Sequence, residues 1–313
     1  MDLHEYKPKG KILQKHLLTL ADYSRSDIYE ILHLALKLKK ERRAGKKHPL
    51  LKGKTLAMIF TKSSTRTRLS FEQGIKQLGG GSLFLSANDL QLGRGEPISD
   101  TAKVMSRYGI DGVMIRTFKQ SDVEELARCG DFPVINGLTD DYHPCQALAD
   151  IMTVYEVFGR LEGVKLAFFG DGNNVAHSLM ICGAKTGMEV VCCCPKGFGP
   201  DPAVVETAAK FGSARVTDDI DEAVRGAGVL YTDVFFSMGQ AQDKAKSDAL
   251  MPYQVNAALC EKAAKDAIFL HCLPAHRGEE VTADVIDGPR SRVFDEAENR
   301  PHVQKAVMAL LMK

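Results

Sequence analysis

A run of hydroxyl and guanidinium side chains follows the first strongly apolar segment of the chain and could bind a phosphate group. Its members are Ser64, Thr65, Arg66, Thr67 and Arg68. A helix that begins here would add free backbone N–H groups and the positive end of its dipole, and arginine forks suit phosphate oxygens. The run therefore predicts a phosphate site without a glycine-rich loop. An ordinary capped helix with two surface arginines is the competing interpretation.

Further polar residues of the first half could act on a carbonyl group. Arg116 follows the apolar segment Gly112–Ile115 and would lie at the carboxyl end of a strand. His143 and Gln146 stand three residues apart at a loop-to-helix junction, since the proline between them fits a first helical turn. An imidazole N–H and an amide there could hold a carbonyl oxygen and an amino group. Taken alone, a solvated arginine and a helix cap with a structural histidine would also explain these residues.

Polar residues also follow strand candidates of the second half. Asn173 and Asn174 occupy a Phe-Gly-Asp-Gly-Asn-Asn turn that looks like a dinucleotide loop but has Val175 at the last glycine position. The two amides fit a carboxylate better than a pyrophosphate. Asp233 comes after the next strand candidate and could pair with an ammonium group. The polar, lysine-containing segment from Met238 to Met251 is typical of a mobile lid.

Cys272 suggests a different chemistry. It lies in His271-Cys272-Leu273-Pro274, directly after the strand candidate Ala267–Leu270. A thiolate there would make the chain a cysteine hydrolase. Adjacent strand residues point to opposite faces, so His271 would be a poor base for it, although His143 could serve if it came close. We therefore expect Cys272 to contact a substrate without forming a covalent intermediate.

Short β-branched-rich runs alternate with helical patterns, as in βαβ units. The predicted strands are Thr55–Phe60, Ser82–Ser86, Gly112–Ile115, Pro133–Ile135, Val164–Phe169, Glu189–Cys194, Arg215–Thr217, Gly228–Thr232 and Ala267–Leu270. The predicted helices include Ser70–Leu78, Ile98–Tyr108, Pro144–Phe158, Val204–Lys210, Gln254–Lys262 and Pro301–Met312. This pattern predicts an α/β fold with two domains, each a mostly parallel sheet flanked by helices.

The predicted domain boundary follows the helix Pro144–Phe158, which ends near Gly159. Residues 1–150 form the first domain and residues 151–300 the second. The C-terminal helix, within residues 301–313, returns to pack on the first domain. Two interdomain helices thus join the domains, and ligands are expected at the carboxyl ends of the strands.

Bulk composition excludes several classes of partner. The 313 residues include 41 basic and 40 acidic side chains, a formal charge of +1, so neither nucleic acid nor a membrane is expected as a partner. No apolar stretch approaches the ~20 residues that cross a bilayer, and the first fifteen residues lack a secretory signal, which favours a cytoplasmic protein. The eight cysteines show no metal-ligand spacing, so we expect no metal. Three of them, Cys192, Cys193 and Cys194, are expected to be buried as small hydrophobic residues.

In their order along the chain, the Ser-Thr-Arg-Thr-Arg run, Arg116 and His-Pro-x-Gln resemble the carbamoyltransferase family. The resemblance implies that the first domain binds carbamoyl phosphate. The implied contacts are Ser64, Thr65, Arg66, Thr67, Gln91, Arg116, His143, Pro144, Cys145, Gln146, Cys272, Leu273 and Arg300. It also implies that Arg116 contacts both phosphate and carbonyl. Gln91 matches a position that in many members acts across a subunit boundary, which implies a homotrimer or a multiple of trimers.

The second half is similar to the ornithine branch of that family. The resemblance implies that Asn174, Asp233, Ser237 and Met238 bind L-ornithine and that Arg116, His143 and Cys272 are catalytic. The neutral δ-amine would attack carbamoyl phosphate without a cofactor, giving L-citrulline and phosphate, as in arginine biosynthesis and the urea cycle. Aspartate, an acylated ornithine or another diamine are alternative acceptors. A non-catalytic dinucleotide- or metabolite-binding module is the alternative from another class.

Overall fold

The computed structural model describes residues 3–86, 90, 95–237 and 243–313. The chain divides into two compact units. The first unit comprises Tyr6–Ala149 and Asn299–Lys313. The second comprises Asp150–Glu298 together with the described residues up to Glu5.

A parallel sheet lies at the centre of the first unit. Its described strands are β1 (Thr55–Phe60), β2 (Gly81–Ser86), β3 (Gly112–Arg116) and β4 (Val134–Leu138), in the order β2-β1-β3-β4. The helices of this unit are α1 (Arg25–Arg43), α2 (Thr65–Gln77), α3 (Ile98–Arg107) and α4 (Gln120–Cys129). Alternate residues of β1 and β3 share one buried cluster with α3 and α4: Ala57, Ile59, Val113 and Ile115. This packing fixes the carboxyl ends of β1 and β3 beside each other.

The second unit is built on another parallel sheet. In the described residues its strands are β5 (Lys165–Phe169), β6 (Glu189–Cys193), β7 (Ala214–Thr217), β8 (Val229–Thr232) and β9 (Ile268–Leu270), in the order β7-β6-β5-β8-β9. The helices are α6 (Asn174–Thr186), α7 (Pro202–Ala209), α8 (Ile220–Val224), α9 (Lys244–Leu250), α10 (Ala257–Lys262) and α11 (Ala283–Ile286). The chain reverses its direction along this sheet at β5, where β6 and β8 lie on opposite sides, and such a switch point is where doubly wound sheets bind ligands.

Two long helices carry the chain between the units. They are α5 (Pro144–Phe158) and α12 (Val293–Leu311). The predicted fold class, two domains with parallel sheets flanked by helices and joined by two helices, is confirmed. The predicted start of the last helix at Pro301 is wrong, because the helix begins at Val293 and contains that proline in its interior.

The other boundaries agree with the predicted ones to within three residues, except the start of the predicted helix Ser70–Leu78. The predicted helix Gln254–Lys262 begins at Ala257, because Val255 pairs in extended form with Glu280 and the side chain of Asn256 caps the helix at Leu259 N. The predicted helix Ser70–Leu78 begins five residues earlier, at Thr65. The hydroxyl-rich run is therefore the first turn of α2. Cys192, Cys193 and Cys194 are buried, as expected.

None of the helices formed by the described residues has the length and apolar character that a bilayer crossing requires.

Candidate active site

The loop before α2 is fixed to the end of the neighbouring strand. The carbonyl oxygen of Arg116 accepts hydrogen bonds from Thr61 N at 3.0 Å and Lys62 N at 3.4 Å. The pairing of β3 with β4 shifts between Ile115 and Arg116, an irregularity that re-aims a strand's last side chain. Arg116 is consequently only 7% exposed at the carboxyl end of β3.

Ser64 caps the helix that follows this loop. Its hydroxyl accepts from Thr67 N at 3.2 Å and donates to Thr67 Oγ1 at 3.1 Å. Thr65 and Thr67 do not cap the helix as the sequence suggested, since both lie within its first turn. Thr65 is exposed, Arg66 half-buried and Thr67 fully buried. The first turn of α2 thus offers hydroxyls, a guanidinium and the positive helix end at one place, which suits an anion.

Arg300 joins this turn to the start of α5. Its Nη2 donates to Thr67 Oγ1 at 3.2 Å and its Nη1 to Gln146 Oε1 at 2.6 Å. Nη1 also lies 3.5 Å from His143 Nε2. Because a guanidinium only donates, His143 Nε2 must accept and the imidazole proton must reside on Nδ1. The structure therefore brings together in the first unit the predicted residues Thr67, His143, Gln146 and Arg300.

His143 is held neutral in this cluster. Burial lowers the pKa of its imidazole well below the ordinary value, and the charges of Arg300 and Arg116 lower it further. Its backbone carbonyl accepts from Gln146 N and Ala147 N, so His143 stands at the cap position of α5, as predicted. A neutral imidazole beside two guanidiniums can donate to a carbonyl oxygen without adding a positive charge.

Basic side chains are concentrated in this part of the first unit. Lys62 is buried and pairs with Asp140 at 3.0 Å. Arg66 is half-buried at the start of α2, and Arg116 and Arg300 are buried, so three guanidiniums accompany the hydroxyls of the helix start. A doubly negative phosphoryl group is the kind of ligand that such a charge distribution stabilises.

Pro144 and Cys145 form the first turn of α5. The thiol of Cys145 is buried and donates to Asn136 O at 3.7 Å, and burial raises its pKa to about 12. Its side chain therefore holds α5 on β4. A ligand contact at these two positions would have to use the backbone at the helix start.

The second unit places a carboxylate, an amide and a thiol together. Asp233 is 7% exposed and follows β8. Its Oδ2 accepts from Asn173 Nδ2 at 2.7 Å, and its Oδ1 accepts from Cys272 Sγ at 3.0 Å. Asn173 also uses its carbonyl oxygen to cap α6 at Val175 N and Ala176 N. Its amide oxygen and one of its two amide N–H groups are thus used within the protein.

Asn174 and Ser237 are the other described residues that the sequence assigned to ornithine. Asn174 is the first residue of α6 and is 8% exposed. Ser237 is half-buried in the loop after β8. Met238 and Gln91, which the sequence also assigned to substrate binding, lie outside the described residues.

The chain around Cys272 is shaped by His271. His271 Nδ1 accepts from Leu273 N at 2.9 Å, and Leu273 has a φ of 57°, the left-handed region. Since Nδ1 accepts, Nε2 carries the proton and donates to Glu280 Oε1 at 3.2 Å. Glu280 thereby orients the imidazole, which in turn holds the backbone of Leu273.

The expected alternation of His271 and Cys272 on opposite faces is wrong. β9 ends at Leu270, and one ligand atom each from Asp233, His271 and Cys272 lies within 4.8 Å of the others. Such a triad could hold a metal ion by composition. Both nitrogens of His271 are already used in hydrogen bonds, however, so its ring offers no lone pair to an ion in this arrangement.

Cys272 is poorly suited to nucleophilic attack. Desolvation raises the pKa of its thiol well above the ordinary value, and the adjacent Asp233 carboxylate raises it further. The two ring nitrogens of His271 are hydrogen-bonded to Leu273 N and Glu280 Oε1 instead of to the thiol. The expectation that Cys272 is no thiolate nucleophile thus agrees with its surroundings.

Three contacts were not predicted from the sequence. They are the hydrogen bond of His271 with Glu280, that of Asn173 with Asp233, and the ion pair of Lys62 with Asp140. A glutamate ten residues after a strand carries no local signal of burial. Lys62 lies two residues before the run of hydroxyl and guanidinium side chains, and its partner Asp140 is 78 residues away in sequence. The contacts of Asn173 and Glu280 depend on tertiary packing.

Comparison with known proteins identifies the family. The model described as "Aspartate/ornithine carbamoyltransferase, carbamoyl-P binding domain" matches residues 15–156, and the model described as "Aspartate/ornithine carbamoyltransferase, Asp/Orn binding domain" matches residues 162–311.

Relatives match over almost their whole length. A protein of Symbiobacterium thermophilum named "Ornithine carbamoyltransferase" is 58% identical, over 95% of this chain and 98% of its own. One of the same name from Bacillus subtilis is 57% identical, over 95% and 94%. The solved structure of ornithine carbamoyltransferase from Pyrococcus furiosus is 53% identical, with a TM-score of 0.92 over 95% of this chain and 96% of that one. The chain belongs to the aspartate/ornithine carbamoyltransferase family.

Proposed function

We propose that the chain transfers the carbamoyl group of carbamoyl phosphate to the δ-amine of L-ornithine, giving L-citrulline and phosphate. The observation that carries this proposal is the cluster of Arg300, Gln146, His143 and Thr67, with Arg116 at the end of β3. The names of relatives that are more than half identical support the choice of reaction.

The first unit (Tyr6–Ala149 and Asn299–Lys313) binds carbamoyl phosphate in this proposal. Ser64, Thr65, Arg66 and Thr67 receive the phosphate at the start of α2, where N–H groups and the helix dipole favour a dianion. Arg116 contacts phosphate and carbonyl oxygen together. Neutralising the departing phosphate is the first of the electrostatic tasks, and three guanidiniums perform it without a metal ion or a cofactor.

The carbamoyl group is gripped at the start of α5. The carbonyl oxygen gains negative charge as the amine attacks, and N–H groups of His143 and Arg116 stabilise it. One such donor is typically worth ~3 kcal/mol in the transition state. Gln146 already has its amide oxygen on Arg300, so its amide nitrogen is oriented by that bond. Pro144 and Cys145 contribute through the backbone of the helix start, and Arg300 holds the arrangement from α12.

The second unit (chiefly Asp150–Glu298) binds ornithine. Asp233 pairs with the α-ammonium group, and Asn174, Ser237 and Met238 bind the remaining α-groups. Cys272 and Leu273 contact the carbamoyl group near the reacting atoms. The δ-amine must lose a proton, and its ordinary pKa of ~10.4 falls in a desolvated site that contains guanidiniums.

Asp233 also favours ornithine over aspartate as the acceptor. An aspartate substrate carries a second carboxylate, which calls for cations, whereas this unit presents a buried carboxylate joined to an amide and a thiol. Asp233 also disfavours a dinucleotide-binding module, because this buried carboxylate contacts Asn173 in the turn after β5 and would repel a pyrophosphate bound there.

A citrulline colour assay tests the proposal directly. Purified protein is incubated with carbamoyl phosphate and, in separate reactions, L-ornithine, N-acetyl-L-ornithine and L-aspartate, with the product of each identified by mass spectrometry. We expect turnover with L-ornithine alone. Turnover only with the acylated amine would move the assignment to an acylornithine enzyme. No turnover with any amine, under conditions where carbamoyl phosphate binds by calorimetry, would overturn it.

The proposal also includes a cellular compartment and an oligomeric state. All eight cysteines are free thiols, which supports a reducing compartment such as the cytoplasm. The edge strand β2 exposes Leu83 and Phe84, and Leu69 and Tyr108 are 61% and 81% exposed in the same unit. These apolar side chains support a homotrimer or a multiple of trimers, and light scattering of the purified protein measures its mass.

A further inference from the structure

A tight turn after the Cys272 segment gathers one imidazole and two carboxylates. Glu279 N donates to His276 O at 3.0 Å, and Gly278 N donates to Val281 O at 2.8 Å. His276 Nδ1 consequently lies 3.9 Å from Glu279 Oε2 and 3.8 Å from Glu280 Oε2. One ligand atom from each of the three residues lies within 4.8 Å of the other two.

Glu280 provides a second, independent sign of a missing partner. Its side chain is fully buried, and Oε1 accepts from His271 Nε2 and from His276 N. Oε2, the oxygen that faces His276, is buried and has no hydrogen-bond partner among the described residues. A buried carboxylate oxygen is ordinarily paired, so this one is suited to a cation.

The turn is rigid enough to present these groups. Gln254 Nε2 donates to the carbonyl oxygens of Gly278 at 3.0 Å and Glu279 at 2.7 Å. Val255 N donates to Glu280 O at 2.9 Å, which pins the far end of the turn. A site held by backbone bonds loses little freedom when it binds a ligand.

Among the residues that the structure describes, no lysine or arginine pairs with Glu279 or Glu280. Arg277, the one basic side chain within the turn, is directed to Asp287, with bonds of 2.8 Å and 2.6 Å. His276 and Glu279 have side chains that are 53% and 46% exposed, so an ion has a path from solvent to the buried oxygen.

We propose that His276, Glu279 and Glu280 form a site for a divalent transition-metal ion such as Zn²⁺. One imidazole and two carboxylates are a ligand set that Zn²⁺ takes, with water at the open position. Neighbouring ligands of a tetrahedral ion at ~2.1 Å lie ~3.4 Å apart, so the two distances from His276 to the carboxylates would shorten by about half an ångström on binding. Mg²⁺ and Ca²⁺ prefer oxygen ligands alone and bind it less well.

The site is distinct from the carbamoyl-transfer residues but is joined to them by Glu280. That residue binds the ion through Oε2 while Oε1 keeps its bond to His271. His271 in turn holds Leu273 N. An ion at the turn therefore restrains the segment that carries Cys272 without occupying the substrate site.

Isothermal calorimetry with Zn²⁺ and the metal-free full chain tests this proposal. The measurements use a Cys272→Ser background, so that the thiol beside Asp233 cannot provide a second zinc site. We expect one saturable site, weakened at least ~10-fold by His276→Ala or by Glu279→Gln, since even the loss of a supporting residue beyond the ligands typically costs 10–100-fold. With Co²⁺ in place of Zn²⁺, the visible spectrum should show nitrogen and oxygen ligands without a thiolate band.

His4→Ala is the matched control. His4 Nε2 lies 3.9 Å from Glu5 Oε1, an exposed histidine–carboxylate pair at the same spacing but without a buried third ligand. Zinc binding should survive in this variant, and Mg²⁺ should not displace the ion. Equal weakening in the His4 and His276 variants, or no saturable binding in the parent chain, would overturn the assignment. Circular dichroism of each variant without metal shows whether a loss of binding reflects unfolding.

Discussion

Arg300 Nη1 donates to Gln146 Oε1 at 2.6 Å across 154 residues of sequence. The bond ties the C-terminal helix to the start of α5, and the second fork nitrogen reaches Thr67 on α2. One side chain thus holds two of the elements to which we assign carbamoyl phosphate.

Replacing Arg300 by Lys should impair the reaction while keeping the charge. A lysine cannot serve both acceptors with a planar fork, so Gln146 or Thr67 loses its donor and turns. We expect kcat/KM for carbamoyl phosphate to fall ~30- to 150-fold, equivalent to ~2–3 kcal/mol for a disrupted charged hydrogen bond. Steady-state kinetics with varied carbamoyl phosphate measure this fall in kcat/KM. Arg128→Lys, at an exposed position of α4, is the control, and an equal loss in both variants would remove the special role of Arg300.

The buried imidazole of His143 makes stability depend on pH. Burial, Arg300 and Arg116 lower its pKa, so the folded chain resists protonation that the unfolded chain accepts below pH ~6.5. The unfolded state then binds more protons, and the free energy of unfolding falls with decreasing pH by up to ~1.4 kcal/mol per unit. Above pH ~6.5 both states are neutral and this contribution vanishes.

His143→Asn removes that titration. Urea unfolding of both proteins between pH 7.5 and 5 should show the wild type losing stability faster than the variant below pH ~6.5, with parallel behaviour above it. Curves that stay parallel down to pH 5 would contradict a neutral, desolvated His143.

Local sequence was sufficient to predict the turn to which we assign phosphate, but not the contacts that orient it. Ser64 and Thr67 are three residues apart, so capping preferences alone place them. Only the family resemblance assigned Arg300 to the predicted site, because its partners lie on other helices. No feature of the sequence pattern predicted the hydrogen bond between His271 and Glu280.

The fold was predictable to a similar degree. Apolar, β-branched runs bounded by polar turns located each strand to within three residues, since burial on both faces gives a strong signal. The predicted start of α12 at Pro301 is eight residues late, because proline is disfavoured inside a helix and the local pattern carries no sign that α12 contains one.

Cys272 should react slowly with alkylating agents. Desolvation and the neighbouring Asp233 raise the pKa of its thiol, and only the thiolate reacts quickly. We expect iodoacetamide at pH 8 to label Cys129, the other half-buried cysteine, before Cys272, as peptide mass spectrometry would show. Cys272→Ser should retain measurable turnover, with no covalent intermediate trapped in the wild type. A carbamoylated or acylated Cys272 would instead establish nucleophilic catalysis.

Ser64→Ala should affect both stability and ligand binding. Loss of an N-cap hydroxyl costs ~1 kcal/mol, and Thr67 also loses the donor to its Oγ1. The KM for carbamoyl phosphate should rise several-fold. Ser24→Ala, which removes the cap of α1 and its bond from Asp27 N, is the matched control. That variant should lose similar stability in urea unfolding with an unchanged KM. A KM that rises equally in both would attribute the effect to stability alone.

The buried carboxyl groups of Asp150 and Glu296 should make stability depend on pH in the direction opposite to that of His143. Both are almost fully buried, and desolvation together with Asp150 raises the pKa of Glu296 well above its ordinary value. The folded chain thus keeps a proton that the unfolded chain releases above pH ~4.3, so stability falls as pH rises, with a slope approaching ~1.4 kcal/mol per unit until the folded pKa is reached. Glu296→Gln carries no charge at any pH, and its amide oxygen can still accept from His271 N, the partner of Glu296 at 3.0 Å.

The variant should therefore exceed the wild type in free energy of unfolding by an amount that grows between pH 5 and 7. Glu261→Gln, at an exposed position of α10, controls for the removal of a negative charge and should run parallel to the wild type. If Glu296→Gln is less stable throughout, with no dependence of the difference on pH, then Glu296 is ionised in the folded chain. In that case the hydrogen bonds that Glu296 accepts from Tyr231 and His271, and not a proton on its carboxyl group, would stabilise it in the folded chain.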